Sequence, residues 1–206
     1  MQLGGNRIAD KNVGLEWRMN QEYSGAGAIS DFTRRSSDLD FGCHLLDVAQ
    51  YLLEPVCGPV MELKSYTTTR IKERSDLVDG CKKTVTNDDC SVFIGKMENG
   101  TVLSFDTSRI GIWNHSIEIV AEGGMVFGDF NQDDSITVWT KDKNMGYQEK
   151  DKKTIPLSGP NGHEGILQNF ADCINGNAVN RRTVSYAGQI QSMIDSMAVR
   201  QEWKRE

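Results

Sequence analysis

Apolar residues recur at helical spacing in three stretches of the chain. Leu45, Val48, Ala49 and Leu52 predict a helix over residues 40–53. We expect Pro55 to end this helix, because the residue before a proline avoids helical backbone angles. Two more helices are predicted near the C-terminus, the first of them stopped by Asn175-Gly176. Their apolar stripes consist of Ile166, Leu167, Phe170, Ala171 and Ile174, and of Ile190, Met193, Ile194 and Met197.

Between residues 59 and 156 the pattern changes to short β-rich runs. Two of them flank Asn99-Gly100, which predicts a hairpin because a tight turn there needs positive φ angles. The charged stretch Lys72–Asp89 predicts turns, and residues 1–23 predict a loop. Further strands are predicted at Val60–Ile71, Ser116–Ala121, Gly124–Phe130, Ser135–Thr140 and, more weakly, near Thr154–Leu157.

This order of elements predicts an α+β fold for residues 1–206, taken as one domain. Because the connections are short, neighbouring strands should be mostly antiparallel. The expected architecture is a large, mostly antiparallel open sheet with helices packed on one face. The other face must then be solvated or covered by another chain, so a homo-oligomer formed through the open face is expected.

Composition narrows the class of protein. Of 206 residues, 38% are hydrophobic, and 23 basic against 29 acidic residues give a net charge of −6. This balance gives no reason to expect nucleic acid or an anionic membrane as a partner. The five cysteines are odd in number and lack a CxxC spacing, which favours thiols in a reducing cytoplasm over a disulfide framework or a zinc cluster.

The sequence lacks the motifs that bind nucleotide phosphates. No GxGxxG follows a predicted strand, and no GxxxxGK[ST] occurs. The glycines at 25 and 27 complete neither pattern. We therefore expect no tightly bound NAD or NADP on this chain alone.

The segment from Asp40 to Asp47 could carry chemistry. On a helix, Asp40 lies one turn before His44 and Asp47 lies three residues after it, so all three share a stripe roughly opposite the apolar one. A histidine oriented by a carboxylate can act as a general base near neutral pH. The alternative is a solvated helix face with an ordinary Asp–His pair. A metal site is disfavoured because Cys43 lies about 100° around the helix from His44.

An ordered series of motifs resembles the Gfo/Idh/MocA family of NAD(P)-dependent oxidoreductases. Its members carry a WR…GGG…DxGxHxxD pattern at the start of their second domain. This chain has Trp17-Arg18, then Gly25 to Ala28, then Asp40 to Asp47. Glu118 to Gly124 and Gly162-His163-Glu164 are similar to later family segments, so the resemblance covers residues 17 to 200.

The resemblance implies a site and a missing partner. Members have an N-terminal Rossmann domain that holds NAD or NADP, and a sugar, cyclic polyol or related hydroxy compound binds between the two domains. His44 would be the general base or acid and Asp40 a substrate-binding or proton-relay carboxylate. Arg18, Asp47 and Asp31 would be substrate-binding residues. The lysine that the family supplies from its first domain has no counterpart in this chain.

The sequence departs from the family pattern at residues 31–39. Asp31 keeps the family's spacing from the glycine run, whereas Asp40 keeps its spacing to His44. We favour Asp40, because the helical spacing to His44 is what the chemistry needs. Two alternatives stay open: a non-catalytic oligomerisation module or isolated fragment, and a family member that uses NAD to cleave glycosidic bonds.

Overall fold

The computed structural model describes residues 2–4, 8–16, 19–20, 22, 41–112, 114–131, 134–140, 151–160, 162–200 and 202–205. Within them the fold is α+β with mostly antiparallel strands, which confirms the predicted class. The helices there are α1 (Gly42–Cys57), α2 (Gly162–Ile174) and α3 (Val184–Arg200). The strands are β1 (Gln2–Gly4), β2 (Val60–Thr68), β3 (Glu73–Ser75), β4 (Lys82–Thr84), β5 (Cys90–Met97), β6 (Val102–Ser108), β7 (Asn114–Ala121), β8 (Gly124–Asp129), β9 (Ser135–Thr140), β10 (Lys152–Pro156) and β11 (Glu202–Lys204).

The chain divides into two compact units. The first comprises residues 1–115 and 189–206, and the second comprises residues 116–188. In the first unit the strands lie in the order β11-β2-β5-β6-β1, antiparallel except for the parallel pair β1 and β6. In the second unit, β7 to β10 form an antiparallel meander.

Buried and exposed residues alternate along β5 and β6, so one face of the first unit's sheet is covered. Phe93 and Phe105 are both buried there, and their rings stack with centroids 4.4 Å apart. Helix α3 lies against this face, because the hydroxyl of Ser65 on β2 donates to the carbonyl oxygen of Met197 at 3.1 Å. On the other face the apolar side chains of Tyr66, Ile94 and Val102 are exposed.

The hairpin between β5 and β6 confirms the Asn99-Gly100 prediction. Gly100 has φ of 92° and its N–H donates to the carbonyl oxygen of Met97 at 2.9 Å. The N–H of Met97 donates in turn to Thr101. A left-handed residue after a tight turn is a common way to match the twist of two antiparallel strands, and glycine adopts it at the lowest cost.

Helix α1 departs from its prediction at both ends. It begins at Gly42 and not at residue 40, and it continues through Pro55 to Cys57. A proline in the last turn removes only one backbone hydrogen bond, so it does not stop the helix there. The helix closes where Gly58, with φ of 73°, donates its N–H to the carbonyl oxygen of Glu54.

The inward face of α1 is also rotated relative to the predicted stripe. Leu45 and Ala49 are buried as expected, but Leu46 and Gln50 are buried too, whereas Leu52 is exposed. Periodicity could not separate Leu46 from Leu45, because adjacent residues lie only about 100° apart on a helix. His44 remains on the outer side.

The stretch Lys72–Asp89 contains more structure than the predicted turns. Strands β3 and β4 pair as a hairpin, and Asp76 closes its tip by accepting hydrogen bonds from Lys83 and from the backbone of Val78. Strands β1 and β11 were also absent from the sequence prediction. Three-residue strands contain too few positions to show an alternating pattern.

Candidate functional site

The candidate site lies at the N-terminus of α1. The helix opens at buried Phe41, whose carbonyl oxygen accepts the N–H of Leu45 at 3.1 Å. Phe41 provides no side-chain cap, and the first turn contains no acidic residue. The positive end of the helix dipole is therefore not neutralised by the helix itself, and it favours negative charge nearby.

His44 is the third residue of this helix and its side chain is exposed. Its neighbours Cys43 and Leu45 are both buried, so the helix is fixed by packing on either side of the histidine. Such packing holds the imidazole at a defined position while leaving it open to a ligand. The predicted placement of His44 outside the apolar stripe is confirmed.

The surroundings of His44 favour a neutral imidazole. Desolvation by the atoms around the ring lowers the pKa of His44 below 6.5, and the nearby carboxylate of Asp47 acts in the opposite direction without reversing the shift. The helix N-terminus also disfavours a positive charge. A histidine that is neutral at pH 7 can accept a proton, as a general base must.

Asp47 is half-buried one turn further along α1. The structure thus brings two of the five predicted site residues together. Asp40, Asp31 and Arg18 lie outside the described residues, and so does the insertion at 31–39. Their roles, including the pairing of Asp40 with His44, stay predictions.

The backbone on both sides of Trp17-Arg18 is fixed to the β3–β4 hairpin and to the residues that directly follow it. The N–H of Leu15 donates to the carbonyl oxygen of Ser75 at 2.7 Å, and the carbonyl oxygen of Met19 accepts the N–H of Thr86 at 3.0 Å. Met19 is buried in a cluster with Ile8 and Val85. The segment that would supply Arg18 therefore starts and ends at fixed points.

Arg74 on β3 is the polar centre of this attachment, and sequence reasoning missed it. Arg74 is 2% exposed, and its guanidinium donates to the carbonyl oxygens of Asp10 at 2.8 Å, Val13 at 2.9 Å and Ile8. Burial lowers the pKa of Arg74, and the carboxylates of Asp89, Asp10 and Glu16 act to raise it. Nothing in the charged stretch Lys72–Asp89 indicates that Arg74 is buried while the other charged side chains are mostly exposed.

Comparison with known proteins identifies the family of this chain. Residues 5–127, more than half of the chain, match the family model described as the GFO/IDH/MocA C-terminal domain. The chain belongs to the Gfo/Idh/MocA family. No match is found among curated proteins.

Solved structures share the fold of this Gfo/Idh/MocA domain at low identity. The oxidoreductase domain protein from Kribbella flavida is 18% identical with a TM-score of 0.76, and the NAD binding oxidoreductase from Klebsiella pneumoniae is 20% identical with a TM-score of 0.76. Levoglucosan dehydrogenase in complex with NADH and levoglucosan is 21% identical with a TM-score of 0.73. In each case 98% of this chain is covered but only 57% of the other chain, so this chain spans little more than half the length of these structures.

Membrane-spanning helices and metal-ligand clusters are both absent from the described residues. None of the helices there has the length and apolar character that crossing a bilayer requires. No three His, Cys, Asp or Glu side chains in that part of the chain come together as metal ligands. All five cysteines are described, and no disulfide joins any two of them.

Proposed function

We propose that residues 1–206 form the substrate-binding, catalytic-half domain of an NAD(P)-dependent dehydrogenase, acting in the cytoplasm on a sugar, a cyclic polyol or a related hydroxy compound. The observation that carries the proposal is His44: an exposed histidine with a lowered pKa, at a helix N-terminus, in a chain that belongs to this oxidoreductase family. NAD or NADP would be held by a nucleotide-binding domain outside residues 1–206.

In this role His44 would remove the hydroxyl proton of the substrate. Oxidation of an alcohol to a carbonyl releases one proton and one hydride, and NAD or NADP would take the hydride when bound. The neutral imidazole is in the correct state to take the proton, and the helix N-terminus stabilises the developing alkoxide. Asp40 would orient the substrate or relay the proton, and Arg18, Asp31 and Asp47 would bind substrate oxygens.

The substrate class is supported by what the related structures hold. Levoglucosan dehydrogenase has been solved with NADH and levoglucosan, and an aldose-aldose oxidoreductase from Caulobacter crescentus with glycerol. At 21% and 16% identity these proteins support a polyhydroxylated substrate class and no single compound. Selection of NAD or NADP would depend on the partner domain, where the cofactor's ribose is bound.

The test is the reduction of NAD and NADP by the chain joined to its nucleotide-binding domain, with a panel of sugars and polyols as substrates. We expect His44→Gln to lower kcat at least about 100-fold, since general base catalysis contributes on the order of 10²–10⁴-fold. The wild-type kcat/KM should fall as the pH decreases through the lowered pKa of His44, where the imidazole becomes protonated.

Asp47→Asn provides a second test of this pH dependence. Asp47 raises the pKa of His44, so its removal should move the acid limb of the profile to lower pH, and the plateau kcat/KM should also fall because Asp47 would bind a substrate oxygen. A profile whose acid limb does not move with Asp47, or a His44→Gln enzyme with wild-type turnover, contradicts the role of His44.

A second candidate function is oligomerisation through the open sheet face, with or without catalysis. Tyr66, Ile94 and Val102 are exposed on that face, and exposed apolar patches are typical of an interface. Light scattering on the purified chain tests this directly. A strict monomer at high concentration counts against a homo-oligomer.

The third candidate uses NAD transiently to cleave glycosidic bonds. It shares the proton transfer at His44, so the two reactions differ in their products. With a glycoside as substrate, release of the sugar without net NADH would replace the dehydrogenase proposal with this one.

A further inference from the structure

Asp89, directly before β5, is a buried carboxylate that the proposed mechanism does not use. It is 2% exposed, and its Oδ2 accepts the backbone N–H of Arg70 at 2.7 Å and that of Ile71 at 3.0 Å. Hydrogen bonds from backbone N–H groups to a carboxylate are short and strong. The side chain therefore ties the connection between β2 and β3 to the start of β5.

The backbone of Asp89 joins two more segments. Its N–H donates to the carbonyl oxygen of Thr68 at the end of β2, at 2.9 Å, and its carbonyl oxygen accepts the N–H of Arg109 after β6, at 2.8 Å. These strand ends lie side by side, because Thr68, Cys90 and Ser108 are paired in register. Asp89 therefore fixes one end of the first unit's sheet together with a connection that leaves it.

The charge of Asp89 also acts on the buried Arg74. Burial lowers the pKa of Arg74, and among the carboxylates that act against this shift Asp89 acts most strongly. Arg70 and Ile71, whose backbone the Asp89 side chain binds, lead directly into the strand that carries Arg74. Asp89 is thus placed to hold Arg74 both through the backbone and through charge.

Arg74 and the residues before Asp89 hold the two sides of Trp17-Arg18. The guanidinium of Arg74 binds the backbone before this pair through three carbonyl oxygens. After the pair, the carbonyl oxygen of Met19 accepts the N–H of Thr86, three residues before Asp89, at 3.0 Å. Both attachments of the segment that would supply Arg18 therefore lead back to Asp89.

We propose that Asp89 is a positioning residue of the candidate site. It acts through Arg74 and through the backbone on both sides of Trp17-Arg18 on the place from which Arg18 would bind a substrate oxygen. This rests on the proposed function, in which Arg18 binds the substrate and His44 takes the proton. Asp89 should therefore affect substrate affinity, and the proton transfer at His44 should not depend on it.

The experiment uses the chain joined to its nucleotide-binding domain, with the sugar or polyol of the substrate panel that gives the highest kcat/KM. Asp89→Asn keeps the size of the side chain and an acceptor oxygen but removes the charge. We expect it to raise KM at least about fivefold, while kcat stays within about twofold and the acid limb of the pH profile does not move. Glu73→Gln, which removes a charge from an exposed position beside Arg74, is the control and should change neither constant by more than about twofold.

A double variant tests whether Asp89 acts through Arg18. Arg18→Ala should raise KM by itself, and adding Asp89→Asn should raise it by less than about twofold further, because both changes then remove the same interaction. Two effects on KM that multiply would overturn the proposal. A wild-type KM in the Asp89→Asn protein would also overturn it.

Amide hydrogen exchange follows the segment without reference to activity. The N–H of Leu15 donates to the carbonyl oxygen of Ser75, so its exchange reports the attachment before Trp17. We expect this exchange to be at least about tenfold faster in Asp89→Asn and unchanged in Glu73→Gln, and a wild-type rate in Asp89→Asn would overturn the proposal. If the joined protein reduces neither NAD nor NADP with any sugar or polyol, the proposed function fails, and exchange at Leu15 then decides whether Asp89 holds this segment.

Discussion

Helices α2 and α3 have similar apolar patterns but different surroundings. Both stripes are evident from sequence, and both helices form where the sequence predicts them. In α3 the four stripe residues Ile190, Met193, Ile194 and Met197 are at most 3% exposed, because the helix lies against the first unit's sheet. In α2 the stripe meets no such surface within the described residues.

The difference shows what an amphipathic pattern does and does not determine. Periodicity establishes that one face of a helix is more stable when it is removed from water, by about 1.5–3 kcal/mol for each large side chain that becomes fully buried. It does not specify whether the covering surface belongs to the same chain. The α3 stripe is buried within this chain, whereas the α2 stripe is exposed in the described structure.

The largest effect that this comparison predicts is a difference between two truncations. Ile194→Ala should lower the free energy of unfolding by about 2–5 kcal/mol, because it leaves a cavity under a fully buried side chain. Phe170→Ala removes a larger side chain, but it should change the free energy of unfolding of the chain alone by less than about 0.5 kcal/mol because Phe170 is exposed. Urea denaturation of both variants measures the difference, and equal losses would mean that α2 is packed in solution.

A second prediction extends the comparison to polar groups. Arg74→Met should lower the free energy of unfolding by about 3 kcal/mol, because the carbonyl oxygens of Asp10 and Val13 lose a charged donor inside the protein. Lys82→Met, at an exposed position on the paired strand β4, should change it by less than about 0.5 kcal/mol. Thermal unfolding distinguishes them. If the two variants are equally stable, Arg74 does not hold the segment before Trp17.

The smallest effect concerns a glycine in each helix. Gly188→Ala in α3 should raise the free energy of unfolding by about 0.5–1 kcal/mol, because alanine is the better helix former and a Cβ there meets no atom within 4 Å. Gly165→Ala in α2 is equally permitted, with the nearest side-chain atom 3.7 Å away. It should leave global stability unchanged if α2 opens before the rest of the chain unfolds. A matching gain at both positions, measured by denaturation, would show that the helices unfold together.

The parts of the fold that could be predicted are those fixed by local patterns. The α3 stripe, the hairpin at Gly100 and the exposed position of His44 each follow from residues within a few positions of one another. The burial of Arg74 could not be predicted, because its acceptors lie more than 60 residues away in the chain. The same holds for Gln50, a polar residue that the helix turns inward.

The candidate site shows the same division. The helical spacing placed His44 and Asp47 on the outer side of α1, and the structure adds the desolvation that lowers the pKa of His44. That shift arises from partial desolvation of the ring by nearby parts of the fold, which no spacing in the sequence encodes. The backbone before Arg18 is hydrogen-bonded to the β3–β4 hairpin. The charged composition of Lys72–Asp89 predicts turns and gives no sign of this hairpin.

Amide hydrogen exchange on the chain alone tests the central claim most directly. It reports the opening free energy of each helix separately. We predict that the amides of α3 between Ile190 and Met197 exchange only through global unfolding, whereas the amides of α2 between Ile166 and Ile174 exchange at least about 100-fold faster. Protection of α2 equal to that of α3 would contradict the account, because the apolar face of α2 would then be covered in solution.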